Sequence, residues 1–372
     1  MGTMDFLTDT LPPRALPQGP LPQGPLPRGS GPRGSGPRGS GPRGAVPAAA
    51  SHRGLSGRRT LPRQRTLKDS IGCVGVGLHG GREVALTLHP AAAGTGIRFR
   101  RGDLGVEIPA RFDAVADTRL CTEIAAADRP EVTIGTIEHV MAALAGCGID
   151  NAVIEVDGPE IPILDGSAAP FVFLIDCAGV VEQEAPRRVI EILRPIEVRT
   201  GGACAALLPV HDASAHGAPA HGAEAAMAGE LEMAFSIAFD APAIGRQSLR
   251  LRLTEDGFRQ ELAHARTFTL AAEIEGLRAS GRARGGSLDN AVVVDGARVL
   301  NPGGLRAPDE FVRHKLLDAV GDLALAGATL RGRFVAHCSG HALNNRLLRA
   351  LFASEGAWAE VAPASSRLSA AA

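Results

Sequence analysis

The helix predicted at Asp309 to Gly327, DEFVRHKLLDAVGDLALAG, constrains the fold more than any other stretch of the sequence. Positions three and four apart share one face of an α-helix, so His314, Asp318 and Asp322 form a polar stripe. The opposite stripe is apolar and is predicted to be buried; its members are Val312, Leu316, Ala319, Val320 and Leu323. A core helix carries charge beside such a stripe only where that charge is paired or bound to something.

A His and an Asp four residues apart can chelate a borderline metal such as zinc. A hydrogen-bonded His–Asp pair on a solvated face is the alternative, and for an isolated H-x3-D it is the better interpretation. The rest of the chain decides between them.

The charge balance of the chain excludes one class of partner. Residues 1–63 carry nine Arg against Asp5 and Asp9, a net charge of +7. Because the whole chain has a net charge of −1, the remaining residues carry −8. A basic tail on a mildly acidic body argues against a nucleic-acid-binding core. No apolar run approaches the ~20 residues that cross a bilayer, and no secretory signal is recognisable. Six scattered cysteines without a C-x2-C pair indicate neither disulfides nor a thiolate zinc cage, so we expect a cytoplasmic protein.

Lysine usage points to one residue of the central helix. Only Lys68 and Lys315 occur in a chain that otherwise uses arginine. Lysine is a compact point charge on a flexible stem and does not replace arginine freely. We therefore expect a functional role for Lys315, next to His314.

The length of 372 residues suggests two domains. Residues 1–63 contain a five-residue Pro/Gly repeat with little to bury and are predicted to be a disordered tail. A strand-rich first domain follows at 64–185. It contains a helix with Thr136 as its predicted N-cap and with Glu138 and His139 in the first turn, and this helix ends at Gly146 and Gly148. The charged run EQEAPRR marks the boundary to a second domain, 186–355, which repeats the order of strands and helices. Residues 211–230 read as a flexible Ala/His-rich insertion, and 356–372 as a C-terminal tail.

Three strings supply the groups that metal-assisted hydrolysis requires: Thr136-Ile137-Glu138-His139, the His314 to Asp322 segment, and SGHALNN from Ser339. His139, His314 and Asp318 would be three protein ligands that leave a fourth position for water, as in catalytic zinc sites. Glu138 could take a proton from that water. It lies about 100° around the helix from His139, so one side chain can ligate while the other faces the water.

The same strings offer an acid and a cation. His341 could donate a proton to the leaving amine, and Asp322 could hold and charge that imidazole. Lys315 could attract an anionic part of the substrate. His79, in the glycine-rich segment GVGLHGG, is a weaker candidate for the same pocket, because a plain hairpin explains that segment.

Together these motifs resemble the zinc-dependent UDP-3-O-acyl-N-acetylglucosamine deacetylases of lipid A biosynthesis in Gram-negative bacteria. The resemblance covers about residues 64–355, and it is carried by seven strings: GVGLH, TIEHVMAALAGCGIDN, EIPILDGSAAPFV, RTF, NPGGLR, DEFVRHKLLDAVGDL and SGHALNN. It implies an α+β fold of two similar domains, duplicated β-β-α-α-β-type units with sheets outside, helices packed between them and the active site at the domain interface.

The resemblance also implies roles for individual residues. Zn2+ would lie on His139, His314 and Asp318, with Glu138 as base and His341, partnered by Asp322, as acid. Lys315 would lie near the substrate's phosphates, Thr267 would hydrogen-bond the oxyanion, and Phe268 would flank the sugar. The segment 270–299 would form a passage for the acyl chain; Leu270, Ile274 and Leu277 at helical spacing suit that role, although they would also suit plain core.

Several alternatives remain open from the sequence alone. Another metal-dependent deacylase of the same fold would need neither Lys315 nor the apolar segment. A non-catalytic acyl-sugar binding protein would leave the clustered His, Asp and Glu without a reason to coexist. The resemblance implies a UDP-linked acylated glucosamine as the partner, with no nucleic acid and no membrane span, and we expect a monomer. The resemblance suggests that the final RLSAAA is a degradation tag read by a membrane protease, but a frayed terminus is the interpretation we favour.

Overall fold

The computed structural model describes residues 61–210 and 231–362. The predictions for the insertion at 211–230, for residues 1–60 of the tail and for 363–372 therefore lie outside the described residues. Within them, several sheets enclose packed helices, which confirms the predicted α+β class.

The first half is built on a five-stranded sheet in the order β2-β3-β9-β4-β5, with a three-stranded sheet β6-β7-β8 and the antiparallel pair β1-β10 beside it. Its strands are β1 (Arg63–Leu67), β2 (Ile71–Val76), β3 (Glu83–Pro90), β4 (Ile97–Arg101), β5 (Val106–Pro109), β6 (Val115–Asp117), β7 (Glu123–Ala125), β8 (Thr133–Ile134), β9 (Ala152–Val156) and β10 (Val180–Pro186). Its helices are α1 (Glu138–Gly146) and α2 (Ala169–Ala178), and a 3₁₀ turn lies at Phe112–Ala114.

The second half is built on a seven-stranded sheet in which β19 pairs with β13, β11 and β14. Its strands are β11 (Val189–Ile192), β12 (Ile196–Thr200), β13 (Ala203–Leu208), β14 (Leu231–Ala238), β15 (Arg246–Leu253), β19 (Thr329–His337) and β20 (Trp358–Glu360). Its helices are the short α3 (Glu255–Gly257), continued by a π-helical turn at Phe258–Leu262, α5 (Glu310–Ala324) and α6 (His341–Ala353). A separate unit contains β16 (Phe268–Leu270), α4 (Ala271–Ala279), β17 (Val292–Asp295) and β18 (Arg298–Val299).

Helices α1 and α5 cross at the centre of the molecule. Eight of the nine residues of α1 are buried, and α5 is buried on its polar stripe as well as on its apolar stripe. The polar stripe of α5 is therefore not a solvated face, because α1 covers it. Gly321 permits this contact, since a Cβ built at that position would lie 2.1 Å from the Glu138 carbonyl oxygen.

Replacing Gly321 by alanine is expected to lower the free energy of unfolding by about 2 kcal/mol or more, because backbone of α1 blocks the added methyl group. Thermal or denaturant unfolding measures the loss. The matched control is Gly276→Ala in α4, where a Cβ meets no atom within 4 Å. That change should be neutral or stabilising by about 0.5–1 kcal/mol. Equal stabilities of the two variants would contradict the close packing of α1 on α5.

One local prediction was wrong. Thr136 does not cap α1: the N-cap is Ile137, which makes no side-chain capping bond. Thr136 instead adopts a left-handed conformation with φ of 59° and donates its hydroxyl to the Glu160 carboxylate at 3.1 Å. Because the Thr136 hydroxyl is hydrogen-bonded to Glu160, 24 residues later, it does not cap the helix.

Candidate active site

Three predicted ligands meet where α1 crosses α5. The donor atoms of His139, His314 and Asp318 all lie within 4.8 Å of one another, and all three side chains are buried. Asp318 Oδ1 lies 3.3 Å from His314 Nε2 and 3.6 Å from His139 Nε2. His314 and Asp318 come from successive turns of α5, and His139 comes from the first turn of α1. The two halves of the chain therefore contribute to one cluster.

The hydrogen bonds around this cluster suit a metal ion. His314 Nδ1 lies 3.1 Å from the Ala265 carbonyl oxygen, so it donates its proton there and leaves Nε2 free to ligate. Asp318 Oδ1 is buried and has no hydrogen-bond partner among the described residues, whereas Oδ2 accepts from Lys315 Nζ at 2.9 Å. An orphaned buried carboxylate oxygen facing two imidazole nitrogens is costly unless something binds it. Nitrogen and oxygen donors in this number fit zinc.

Burial and charge hold the ligands His314 and Asp318 in the protonation states that metal binding requires. Burial lowers the pKa of His314 and outweighs the raising effect of Asp318. The resulting pKa of about 4 keeps the imidazole neutral. Burial would raise the pKa of Asp318, but the Lys315 ammonium, which hydrogen-bonds Oδ2, holds it well below the ordinary value. Burial likewise opposes the charge on Lys315, yet the Asp318 carboxylate raises the pKa of that ammonium.

Glu138 begins α1 and lines the cavity beside the cluster. Burial raises its pKa, although His341 and His139 act in the opposite direction. A carboxylate with a raised pKa is a better proton acceptor from water than an exposed one. Its Oε2 accepts the backbone N–H of Thr122 at 3.0 Å.

His341, which lines the cavity, pairs with the buried Asp322. His341 Nδ1 donates to Asp322 Oδ2 at 2.9 Å. Burial opposes protonation of His341, but the charge and hydrogen bond of Asp322 outweigh it and raise the pKa of the imidazole to about 9. The imidazole is therefore cationic at neutral pH. Because His341 lies at the start of α6, this pair brings the string SGHALNN into contact with the His314 to Asp322 segment.

Thr267 and Phe268 also line this cavity. The Thr267 backbone donates to the Gly166 carbonyl oxygen at 2.8 Å, and the Phe268 ring stacks edge-on against Phe311 at 5.0 Å. Arg266, next to Thr267, is fixed by the fully buried Glu310 at the start of α5, with Nε to Oε1 at 2.8 Å. This ion pair ties the segment carrying Thr267 to the helix that carries His314 and Asp318.

The cavity has a volume of about 650 Å³ and is lined by both halves of the chain and by the segment 270–299. Leu270, Ile274 and Leu277 all line it. Because α4 has no buried residue, Ile274 and Leu277 are cavity wall and not core, whereas Leu270 in β16 also packs against the core. Leu288 and Val293 extend the apolar wall. A cavity lined mainly by apolar side chains that also contains a cluster of polar groups is typical of a site for an amphiphilic ligand.

His79 is a wall of the same cavity. Its imidazole is buried, and within the described ranges 61–210 and 231–362 neither ring nitrogen has a hydrogen-bond partner. Burial lowers the pKa of this imidazole. Glu160 holds the surrounding loop by accepting the backbone N–H of His79 at 2.7 Å and of Gly80 at 2.8 Å.

The structure brings all nine predicted site residues to this one region. Sequence reasoning missed the residues that hold them: Thr122, Glu160, Arg266, Glu310 and Asn344. No local pattern marks these residues, because each acts on a partner distant in the chain. The motif strings that contain Glu160, Arg266, Glu310 and Asn344 were the only signal available, and Thr122 lies in none of them.

An α+β fold with two histidines and an aspartate around one point, beside a buried carboxylate and an imidazolium, defines the class of metal-dependent hydrolases. The family model described as LpxC, UDP-3-O-acyl N-acetylglycosamine deacetylase, matches residues 64–353. The chain belongs to this family, which confirms the resemblance found in the sequence.

Curated relatives are similar over most of their length. The chain is 51% identical over 298 residues to a protein of Phenylobacterium zucineum, covering 79% of this chain and 95% of the relative. It is 49% identical over 293 residues to one from Anaeromyxobacter sp. (79% and 90%) and 48% over 300 residues to one from Idiomarina loihiensis (80% and 92%). All three are named UDP-3-O-acyl-N-acetylglucosamine deacetylase. In the described part of this chain, no helix has the length and apolar character to span a membrane.

Proposed function

We propose that this protein is a zinc-dependent amide hydrolase that removes the N-acetyl group of UDP-3-O-(hydroxyacyl)-N-acetylglucosamine. Water adds to the acetamide carbonyl, the C–N bond breaks, and acetate and the free 2-amine are released. This is the committed step of lipid A biosynthesis. The observation that carries the proposal is the convergence of His139, His314 and Asp318 on one point beside Glu138, in a cavity that is otherwise lined mainly by apolar side chains.

His139, His314 and Asp318 would hold the zinc ion. When bound there, zinc lowers the pKa of a water molecule and polarises a carbonyl oxygen. Glu138 accepts the proton of the attacking water, which its raised pKa favours. Thr267 donates a hydrogen bond to the oxygen that becomes negative as water adds to the carbonyl.

His341 supplies the proton that the departing nitrogen needs. A pKa of about 9 keeps the imidazole protonated at neutral pH, and Asp322 keeps Nδ1 engaged so that Nε2 is the donor to the substrate. An amine leaves as a neutral molecule only when it is protonated, so an acid at this position is required.

The remaining contacts fit the other parts of the substrate. Lys315 offers an ammonium to the diphosphate, and Phe268 offers a ring face to the sugar. The apolar wall formed by Leu270, Ile274 and Leu277 suits the 3-O-acyl chain. We expect the enzyme to act as a monomer in the cytoplasm, where UDP-linked sugars are available.

The test compares acetate release from the UDP-sugar with and without its 3-O-acyl chain. We expect zinc-loaded enzyme to turn over the acylated substrate and to lose most of its kcat/KM on the substrate without the chain. Equal turnover of both would favour a deacylase with another substrate. Binding of the acylated sugar with no acetate released at saturating zinc would favour a non-catalytic binding protein.

Asp322→Asn is expected to move the basic limb of the pH–kcat/KM profile to lower pH. Activity that needs protonated His341 is lost as pH rises through its pKa, which is about 9 with Asp322 ionised beside it. Without that charge, burial opposes only the smaller raising effects of Glu138 and Asp318, and the pKa of His341 falls toward its ordinary value of about 6.5. Asp176→Asn, which removes a surface partner of Arg259, is the control and should leave the limb in place. An unchanged limb in Asp322→Asn would contradict His341 as the acid.

A further inference from the structure

We propose that Thr122 is a positioning residue that hydrogen-bonds both Glu138, the base, and Asp322, the carboxylate that pairs with the acid His341. This inference rests on the proposed function. Thr122 lies just before β7 in the first half of the chain, and only 2% of it is exposed. Its backbone and its hydroxyl each hydrogen-bond a different group of the active site. Neither the sequence motifs nor the substrate contacts assigned above include it.

The backbone contact orients Glu138. The Thr122 N–H donates to Glu138 Oε2 at 3.0 Å. A carboxylate fixed through one oxygen presents the other in a defined direction. Oε1 is therefore the atom left to receive the proton of the attacking water. Because every residue but proline has this N–H, side-chain substitutions leave the contact in place.

The hydroxyl contact orients Asp322. Thr122 Oγ1 lies 2.7 Å from Asp322 Oδ1, and since an ionised carboxylate only accepts, the hydroxyl is the donor. Asp322 Oδ2 accepts from His341 Nδ1 at 2.9 Å and from Asn344 Nδ2 at 2.9 Å. With both oxygens held, the carboxylate plane is fixed. The direction of the His341 imidazole, and thus of its Nε2 proton, is fixed with it.

Both hydrogen bonds end on charged groups of the reaction, and the hydroxyl joins positions 200 residues apart in the chain. A hydroxyl that only stabilised the fold would find any buried acceptor, as Thr66 does. Thr66 Oγ1 donates to the Asn151 carbonyl oxygen at 2.7 Å, remote from the cavity, and Thr66 is also buried. The two threonines therefore form a matched pair in which only one hydroxyl contacts the catalytic machinery.

The experiment compares Thr122→Val, Thr122→Ser and Thr66→Val in the full chain loaded with zinc. Valine keeps the shape and removes the hydroxyl, whereas serine keeps the hydroxyl. We expect Thr122→Val to lower kcat by about tenfold or more, the scale of a buried hydrogen bond to a charged group, with KM and zinc content unchanged. Thr122→Ser should stay within about twofold of the wild type, and Thr66→Val should lose thermal stability with kcat unchanged.

A double-mutant cycle with Asp322→Asn adds a readout that a structural role would not move. If Thr122 acts through Asp322, adding Thr122→Val to Asp322→Asn should cost much less than the tenfold expected in the wild type. If Thr122→Val does not fold, Thr122→Ala removes the same hydroxyl without a buried branched side chain and takes its place in the cycle.

The outcomes separate the two proposals. A wild-type enzyme that releases no acetate overturns the proposed function itself. An active wild type with kcat unchanged in the hydroxyl-deleted variant overturns the positioning role alone. So does a Thr122→Ser variant as slow as Thr122→Val, or a fully additive cycle with Asp322→Asn.

Discussion

His314→Ala is expected to abolish turnover by removing the metal. His314 supplies one of three donor atoms, its Nε2 faces Asp318 at 3.3 Å, and its Nδ1 is engaged by the Ala265 carbonyl oxygen. Loss of a group that merely supports a ligand costs about 10–100-fold in metal affinity, so loss of the ligand itself should cost at least about 100-fold. Metal analysis after gel filtration should find about one zinc per wild-type chain and far less in the variant.

The control is His89→Ala, which removes a half-exposed imidazole on β3 that contacts Ser70. It should retain zinc and turnover. Stripping the wild type with a chelator should reproduce the inactivity of His314→Ala, and added zinc should restore the wild type only. A stoichiometric zinc content in His314→Ala would contradict the assignment of this ligand.

Glu138→Gln is expected to keep the metal and lose turnover by about 10²-fold or more, the usual contribution of a general base. Glutamine retains the shape of the side chain and can still accept the Thr122 N–H, but it cannot take a proton from water. Zinc content and thermal stability should therefore match the wild type while kcat falls. Zinc should be retained in Glu138→Gln and lost in His314→Ala. Comparing the zinc contents of the two variants therefore distinguishes a residue that transfers a proton from one that binds the metal.

The matched control is Glu255→Gln, which removes a carboxylate that pairs with Arg65 and Arg259 at the protein surface. It should leave kcat unchanged. Full turnover in Glu138→Gln would show that another group accepts the proton and would overturn the base assignment.

The helix at the centre of the molecule shows how much the sequence could predict. Its spacing predicted a helix from Asp309 to Gly327, and the structure has one at Glu310–Ala324. The 3.6-residue period of a helix by itself also predicted that His314, Asp318 and Asp322 lie on one face. It could not tell that this face would be covered, because burial depends on α1, which lies more than 160 residues earlier in the sequence.

The supporting residues were beyond prediction for a similar reason. Arg266 and Glu310 are 44 positions apart and form a buried ion pair that joins the Thr267 segment to α5. Thr136 was predicted as a helix cap because capping is a local rule, but Glu160 captured its hydroxyl. Local rules fail where a distant charged acceptor offers a stronger hydrogen bond than the nearby backbone.

The sequence alone predicted the central helix, the position of the helix that carries Glu138 and His139, the ligand types and the family, because residue period, side-chain chemistry and motif strings are properties of short stretches. Only the tertiary structure decided that His139 comes within reach of His314 and Asp318, that Asp318 Oδ1 is left unpartnered, and that burial and charge set the pKa of His341 to about 9. These depend on distances and dielectric surroundings, which arise only when the two halves of the chain pack against each other.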